Sequence, residues 1–133
     1  YIAMNVRQDL PLCRALVSET GGEAAAAPED TAALTRLFAS ARLTVSMRLH
    51  ALTLSYLAGT PAFGIDGDGR IAAFAKECGI PYRTVEECGD IAAALEEALT
   101  AETPDAAIWN DRLAAGRAAL ARALHAPEKE KEI

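Results

Sequence analysis

The apolar positions of this chain change period repeatedly. Short continuous runs alternate with stretches in which apolar residues recur three and four apart. Tyr1–Met4 is a short apolar run that predicts a strand, and Asn5–Gln8 after it is polar and loop-like. From Asp9 a helix is predicted. Asp9 caps it, Pro11 suits its first turn, and Leu12, Ala15, Leu16 and Glu19 follow at helical spacing until Gly21-Gly22 stops it. Glu23–Ala27 is rich in helix-forming alanine, yet its place between two helices and before Pro28 predicts a short buried strand. Asp30 or Thr31 opens the next helix, with Ala33, Leu34, Leu37 and Phe38 as its inner face. Leu43–Ser46 is a strand, Leu49–Ala58 a helix closed by Gly59 and Pro61, and Ala62–Ile65 a further strand. "DGDG", Asp66–Gly69, reads as a turn. Arg70–Cys78 is an amphipathic helix with Ile71, Phe74 and Ala75 inward and Gly79 as its stop. Pro81–Val85 is a last short strand. Asp90 caps a helix to about Thr100, Pro104–His125 makes a long alanine-rich helix, and 127–133, "PEKEKEI", reads as a charged disordered tail.

Strands alternating with helices of this length imply βαβ units, and hence a parallel sheet with right-handed crossovers. The predicted class is α/β: a three-layer Rossmann-like domain over residues 1–126, with C-terminal helices. Composition agrees with it. The 51% hydrophobic content is inflated by alanine and only 5% of residues are aromatic, which suits helices on a sheet better than a β-sandwich. The net charge of −6 argues against a general binder of nucleic acid or anionic membrane, but says nothing about one pocket. No apolar run approaches the ~20 residues that span a bilayer. Cys13, Cys78 and Cys88 form no C-x-x-C pair and no zinc spacing, so they read as free thiols in a reducing compartment. There is no signal-peptide pattern. The chain opens abruptly on "YIAMN", a strand with nothing before it, so the domain is expected to be incomplete at its start.

The chemistry concentrates in "LTVSMRLHALTLSYLAGTPAFGID", Leu43–Asp66. A strand passing at once into a helix puts Met47, Arg48, Leu49 and His50 at the carboxyl edge of the sheet, where open α/β sheets hold their ligands. The helix start offers free N–H groups to an anion, Arg48 adds a planar fork for a carboxylate or phosphate, and His50 can share a proton near neutral pH. Spacing alone favours the structural alternative: Arg48 as a helix-flanking residue paired with a nearby carboxylate, His50 as a satisfied imidazole. Asp66–Arg70, "DGDGR", is no calcium loop, because Arg70 and Ile71 stand where an acceptor and a glycine belong. It is also neither a dinucleotide fingerprint nor a P-loop. It shares the sheet edge with Arg48, as does "NVRQD", Asn5–Asp9, whose Arg7, Gln8 and Asp9 could line the crevice. Asp9 is equally a helix cap. Trp109 reads as a packing anchor, and His125, near the end of the last helix, carries no assigned function.

From Ala41 to Pro81 the chain reads "ARLTVSMRLHALTLSYLAGTPAFGIDGDGRIAAFAKECGIP". This resembles the polysaccharide pyruvyl transferase family, whose M-R-L-H-A-L core is matched by Met47–Leu52 and whose G-V-P is matched by Gly59-Thr60-Pro61. Phe74–Pro81 continues in register. With "MNVRQD" and "PEDTAAL" upstream, the similarity is expected to run from about Tyr1 to Ile91. The resemblance implies the carboxy-terminal, donor-binding half of a two-domain, glycosyltransferase-B-like bacterial enzyme. Such an enzyme transfers the pyruvyl group of phosphoenolpyruvate to a sugar hydroxyl as a ketal on a cell-surface polysaccharide. It implies Arg48 and Leu49 at the carboxylate or phosphate, His50 as general acid/base, and Asp68, Arg70, Arg7 and Gln8 as further substrate contacts. It implies no cofactor and no metal. The implied partners are phosphoenolpyruvate, a sugar or lipid-linked glycan acceptor, and the chain's own missing amino-terminal domain. The implied location is cytoplasmic, at most peripheral on the inner membrane face. Family members carry Y-D-P-K where this chain has Gly67-Asp68-Gly69-Arg70. Two other classes remain open: a sugar-nucleotide glycosyltransferase or epimerase half, and a non-catalytic anion-binding module.

Overall fold

The computed structural model describes residues 1–101 and 107–124. Five short strands alternate with helices: β1 (Ile2–Ala3), α1 (Val6–Thr20), β2 (Ala25–Ala26), α2 (Thr31–Ser40), β3 (Thr44–Ser46), α3 (Leu49–Leu57), β4 (Ala62–Asp66), α4 (Arg70–Cys78), β5 (Tyr82–Thr84), α5 (Ile91–Thr100) and α6 (Ala107–Leu124). Every strand pairing is parallel, as βαβ connections require. The fold is thus α/β, with parallel sheets and C-terminal helices. The helix boundaries have local causes. Asp30 accepts from the Ala33 N–H at 2.7 Å to start α2, and Gly79 adopts a left-handed conformation (φ 68°) to end α4.

Around β3, β4 and β5, in that order, three layers form. On one face Leu52 and Tyr56 of α3 pack with Ile71, Phe74, Ala75 and Cys78 of α4 over Ala62. On the other, Phe63 is covered by Ala94 and Ala98 of α5, with Leu43, Ile65, Ile91 and Leu95 around them. The alternation of Ala62, Phe63, Gly64 and Ile65 between the two faces is the period-2 consequence of a strand. Arg112 of α6 donates to Glu77 of α4 at 2.7 Å.

At Gly64 the side chains of α3 and α4 press close on the backbone of β4. A Cβ there would lie 2.6 Å from Cγ2 of Ile71 and 3.3 Å from Leu52 and Tyr82 side-chain atoms. Ile71 is β-branched and pinned near its own backbone, so it cannot swing aside. Gly64→Ala is expected to destabilise the fold by about 1–3 kcal/mol through overpacking, read as a fall in the urea midpoint.

Several expectations need correction. Asn5–Gln8 is not a loop: α1 begins at Val6, and the cap is Asn5, whose Oδ1 accepts from Gln8 N at 3.4 Å. Asp9 lies inside the first turn and reaches back to accept from Asn5 N at 2.8 Å. β2 is a strand as expected, but both its residues are exposed. The strands form two ladders, β1–β2 and β3–β4–β5, and a 3-10 helix over Val85–Asp90 precedes α5. The predicted tail at 127–133, His125 and the side chain of Trp109 lie outside the described residues.

Candidate functional site

Strand β3 delivers the chain to the carboxyl edge of the sheet, and α3 starts after two intervening residues, Met47 and Arg48. Ser46 builds the junction: its Oγ accepts from Arg48 N at 2.9 Å, which holds Arg48 in an extended conformation (φ −103°, ψ 120°) as the N-cap of α3. Arg48 offers no side-chain acceptor to the helix. The Ala51 and Leu52 N–H groups return to the Arg48 carbonyl, which leaves those of Leu49 and His50 as the orphan donors of the first turn. Both residues line a pocket of about 180 Å³, together with Arg48, Asp68, Arg70 and Ile71. Aligned peptide dipoles add a partial positive charge at this end of the helix.

The guanidinium of Arg48 is anchored from α1. It donates to Gln8 Oε1 at 3.1 Å and forms an ion pair with the Asp9 carboxylate. The Arg48 side chain is 47% exposed while that of Asp9 is 17% exposed, so the cation is held by a sheltered partner yet keeps donors for solvent or ligand. Partial desolvation pushes the Asp9 carboxyl up. The hydrogen bond from Arg48 and backbone hydrogen bonds at Asn5 and Met4 outweigh it, and the pKa falls below the ordinary carboxylate value. Asp9 therefore stays ionised beside Arg48 down through mildly acidic pH. The structural pairing foreseen for Arg48 exists, and its partner is Asp9.

A second helix N-terminus opens on the same edge, at α4, and it is already filled. Asp66 is 6% exposed, and its carboxylate accepts from the N–H groups of Gly69, Ile71 and Ala72 at 2.9–3.2 Å. Asp68 takes the Arg70 N–H at 3.2 Å and the Arg70 Nε at 2.8 Å. The hydrogen bond from Arg70 holds the Asp68 carboxyl below its usual range, and reciprocally Asp68 raises Arg70. One helix start on this edge is thus open to an anion and the other carries its own carboxylate.

The structure brings Arg48, Leu49, His50, Asp68 and Arg70 around one pocket. Gln8 reaches that group through Arg48. Arg7 is exposed on α1 and does not line the pocket. His50 lines the pocket and is exposed, and its imidazole has no hydrogen-bond partner among the described residues. Sequence reasoning missed Asp66, taken only as part of a turn. The signal was present: an acidic residue ending an apolar strand three residues before a glycine and a helix is a capping pattern.

A family model described as Polysaccharide pyruvyl transferase matches residues 9–69, somewhat under half of the chain. The matched stretch contains Asp9, Arg48, Leu49, His50, Asp66 and Asp68 and stops before Arg70. No curated protein and no solved structure matches the chain. The expected similarity from Tyr1 to Ile91, marking a carboxy-terminal half, is overturned. The match lies in the amino-terminal part of the chain and ends at Gly69. Phe74–Pro81, which extended the register in sequence, is an amphipathic helix and turn whose Phe74, Ala75, Cys78 and Ile80 are buried. Such a pattern belongs to any helix packed on a parallel sheet.

Proposed function

We propose that this chain carries the phosphoenolpyruvate-binding edge of a pyruvyl transferase acting on a polysaccharide or its lipid-linked precursor. The observation that carries the reading is the open first turn of α3, with Arg48 held at its cap and His50 at its second position, inside the stretch that matches the family. A doubly anionic enol ester fits this arrangement. Its carboxylate or phosphate takes the Arg48 fork, and the Leu49 and His50 N–H groups hold the other oxygens.

The chemistry asked of the site is proton movement and charge stabilisation. Addition of a proton to the methylene carbon of the enol turns it into a methyl group and makes the adjacent carbon electrophilic. Two sugar hydroxyls add to that carbon, phosphate leaves, and the hydroxyl protons pass to the methyl carbon and to phosphate. In this reading His50, exposed and lining the same pocket, carries a proton. Arg48 neutralises the departing phosphate or the retained carboxylate. The acceptor sugar contacts lie beyond these residues. No helix among the described residues is long and apolar enough to cross a membrane.

The test is a titration followed by amide and side-chain NMR. Phosphoenolpyruvate is expected to move the Leu49 and His50 amides and the Arg48 Nε signal saturably, with UDP-glucose leaving them in place. A stronger response to UDP-glucose would assign the edge to sugar-nucleotide chemistry. Silence with both ligands would overturn an anion site at α3.

A further inference from the structure

Every strand pairing is parallel, yet the five strands described do not form one sheet. β1 bonds β2 and β3 bonds β4, while residues of β1 and β3 line one cleft of about 260 Å³ together with Leu37, Phe38 and Ala51. The register says which backbone groups face it. The carbonyls of Tyr1 and Ala3 accept from Ala25 and Ala27 across the first ladder, so Ile2 points its N–H and C=O the other way. Thr44 donates to Pro61 in the second ladder, so Val45 turns its own pair away from β4. Ile2 and Val45 are also 37% and 42% exposed, among the large apolar residues that the fold leaves uncovered. Two residues facing one cleft thus combine unpaired backbone groups with apolar side chains. Edges of this kind recruit another strand.

We propose that the cleft is the slot of a sixth parallel strand, supplied by polypeptide on the amino-terminal side of Tyr1. A strand is the occupant that satisfies hydrogen-bonding groups on both flanks at once. The apolar lining of Leu37, Phe38, Ala51, Ile2 and Val45 calls for a continuous Val/Ile/Leu run of the kind that parallel sheets bury. The source follows from topology. A strand preceding β1 makes the order β2-β1-slot-β3-β4-β5 in space, which is the 3-2-1-4-5-6 order of doubly wound folds, with its first crossover joining adjacent strands. In that order the slot and β3 flank the switch point where such folds hold ligands. The carboxyl end of the inserted strand arrives beside Ser46 and Arg48, so the loop after it faces the pocket of Arg48 and His50.

Amide hydrogen exchange compares residues 1–133 with the longest polypeptide encoded in frame upstream of Tyr1. In residues 1–133 the Ile2 and Val45 amides are expected to exchange fast. In the longer chain both slow together by about 100-fold or more, as ladder amides do. Four outcomes overturn the proposal: no upstream polypeptide, no slowing in the longer chain, equal protection in dilute 1–133 because β1 and β3 pair directly, or protection of 1–133 that grows with its concentration because a second copy takes the slot. Anion titration at Leu49 and His50 is read separately, so failure here leaves the functional reading to its own test.

Discussion

Arg48→Leu is expected to weaken phosphoenolpyruvate binding by about 10- to 100-fold, the loss of charge-assisted hydrogen bonds worth ~1.5–3 kcal/mol. The substitution keeps bulk at the α3 cap and leaves the backbone contact from Ser46 in place, so the helix start should survive. It removes the fork and leaves the Asp9 carboxylate, which Arg48 now pairs, without its cation, which adds long-range repulsion to lost attraction. Arg48→Lys is expected to recover only part of the affinity, since an ammonium keeps the charge but not the planar pair of donors. Asp68→Asn should move the other way, because it removes a like charge from the pocket and loosens Arg70 from its present partner. Calorimetric titration of the variants checks all three directions. Equal affinity in Arg48→Leu and the parent would remove Arg48 from the site.

Asp66→Ala is expected to cost about 2–3 kcal/mol of stability, more than an ordinary cap, because one carboxylate serves three backbone donors. The N–H of Ile71 lies at a residue that is 3% exposed and has little recourse to water once its acceptor is gone. Asp66→Asn keeps the oxygen position that receives most of these donors and should lose about 1 kcal/mol. Urea denaturation reads both. A second consequence separates the cap from general core damage. With the carboxylate removed, the α4 start becomes an open anion site like that of α3, so inorganic phosphate should stabilise Asp66→Ala more than it stabilises the parent. A loss below ~0.5 kcal/mol would put Asp66 among ordinary surface positions.

Much of the element order was legible along the chain, because local causes dominate there. Arg70–Cys78 begins and ends where the periodicity and Gly79 place it, and Asp30 caps α2 through the short-range contact its side chain can always make. The α1 start was misplaced for the converse reason. Asn5 and Asp9 are both competent caps, and the choice between them rests on a reciprocal contact in which Asp9 accepts from Asn5 N.

By itself the sequence determined the α/β class, the strand-to-helix junction at Ser46–Leu49 and the clustering of cation, imidazole and helix start at one edge. All of these follow from spacing within a few residues. Tertiary structure alone decided that Arg48 pairs with Asp9, 39 positions away along the chain, that Asp66 fills one helix end while the other stays open, and that the strands part between β1 and β3. Those outcomes depend on which edges and carboxylates meet in space, and pairing across long loops leaves no period in the residues that separate the partners.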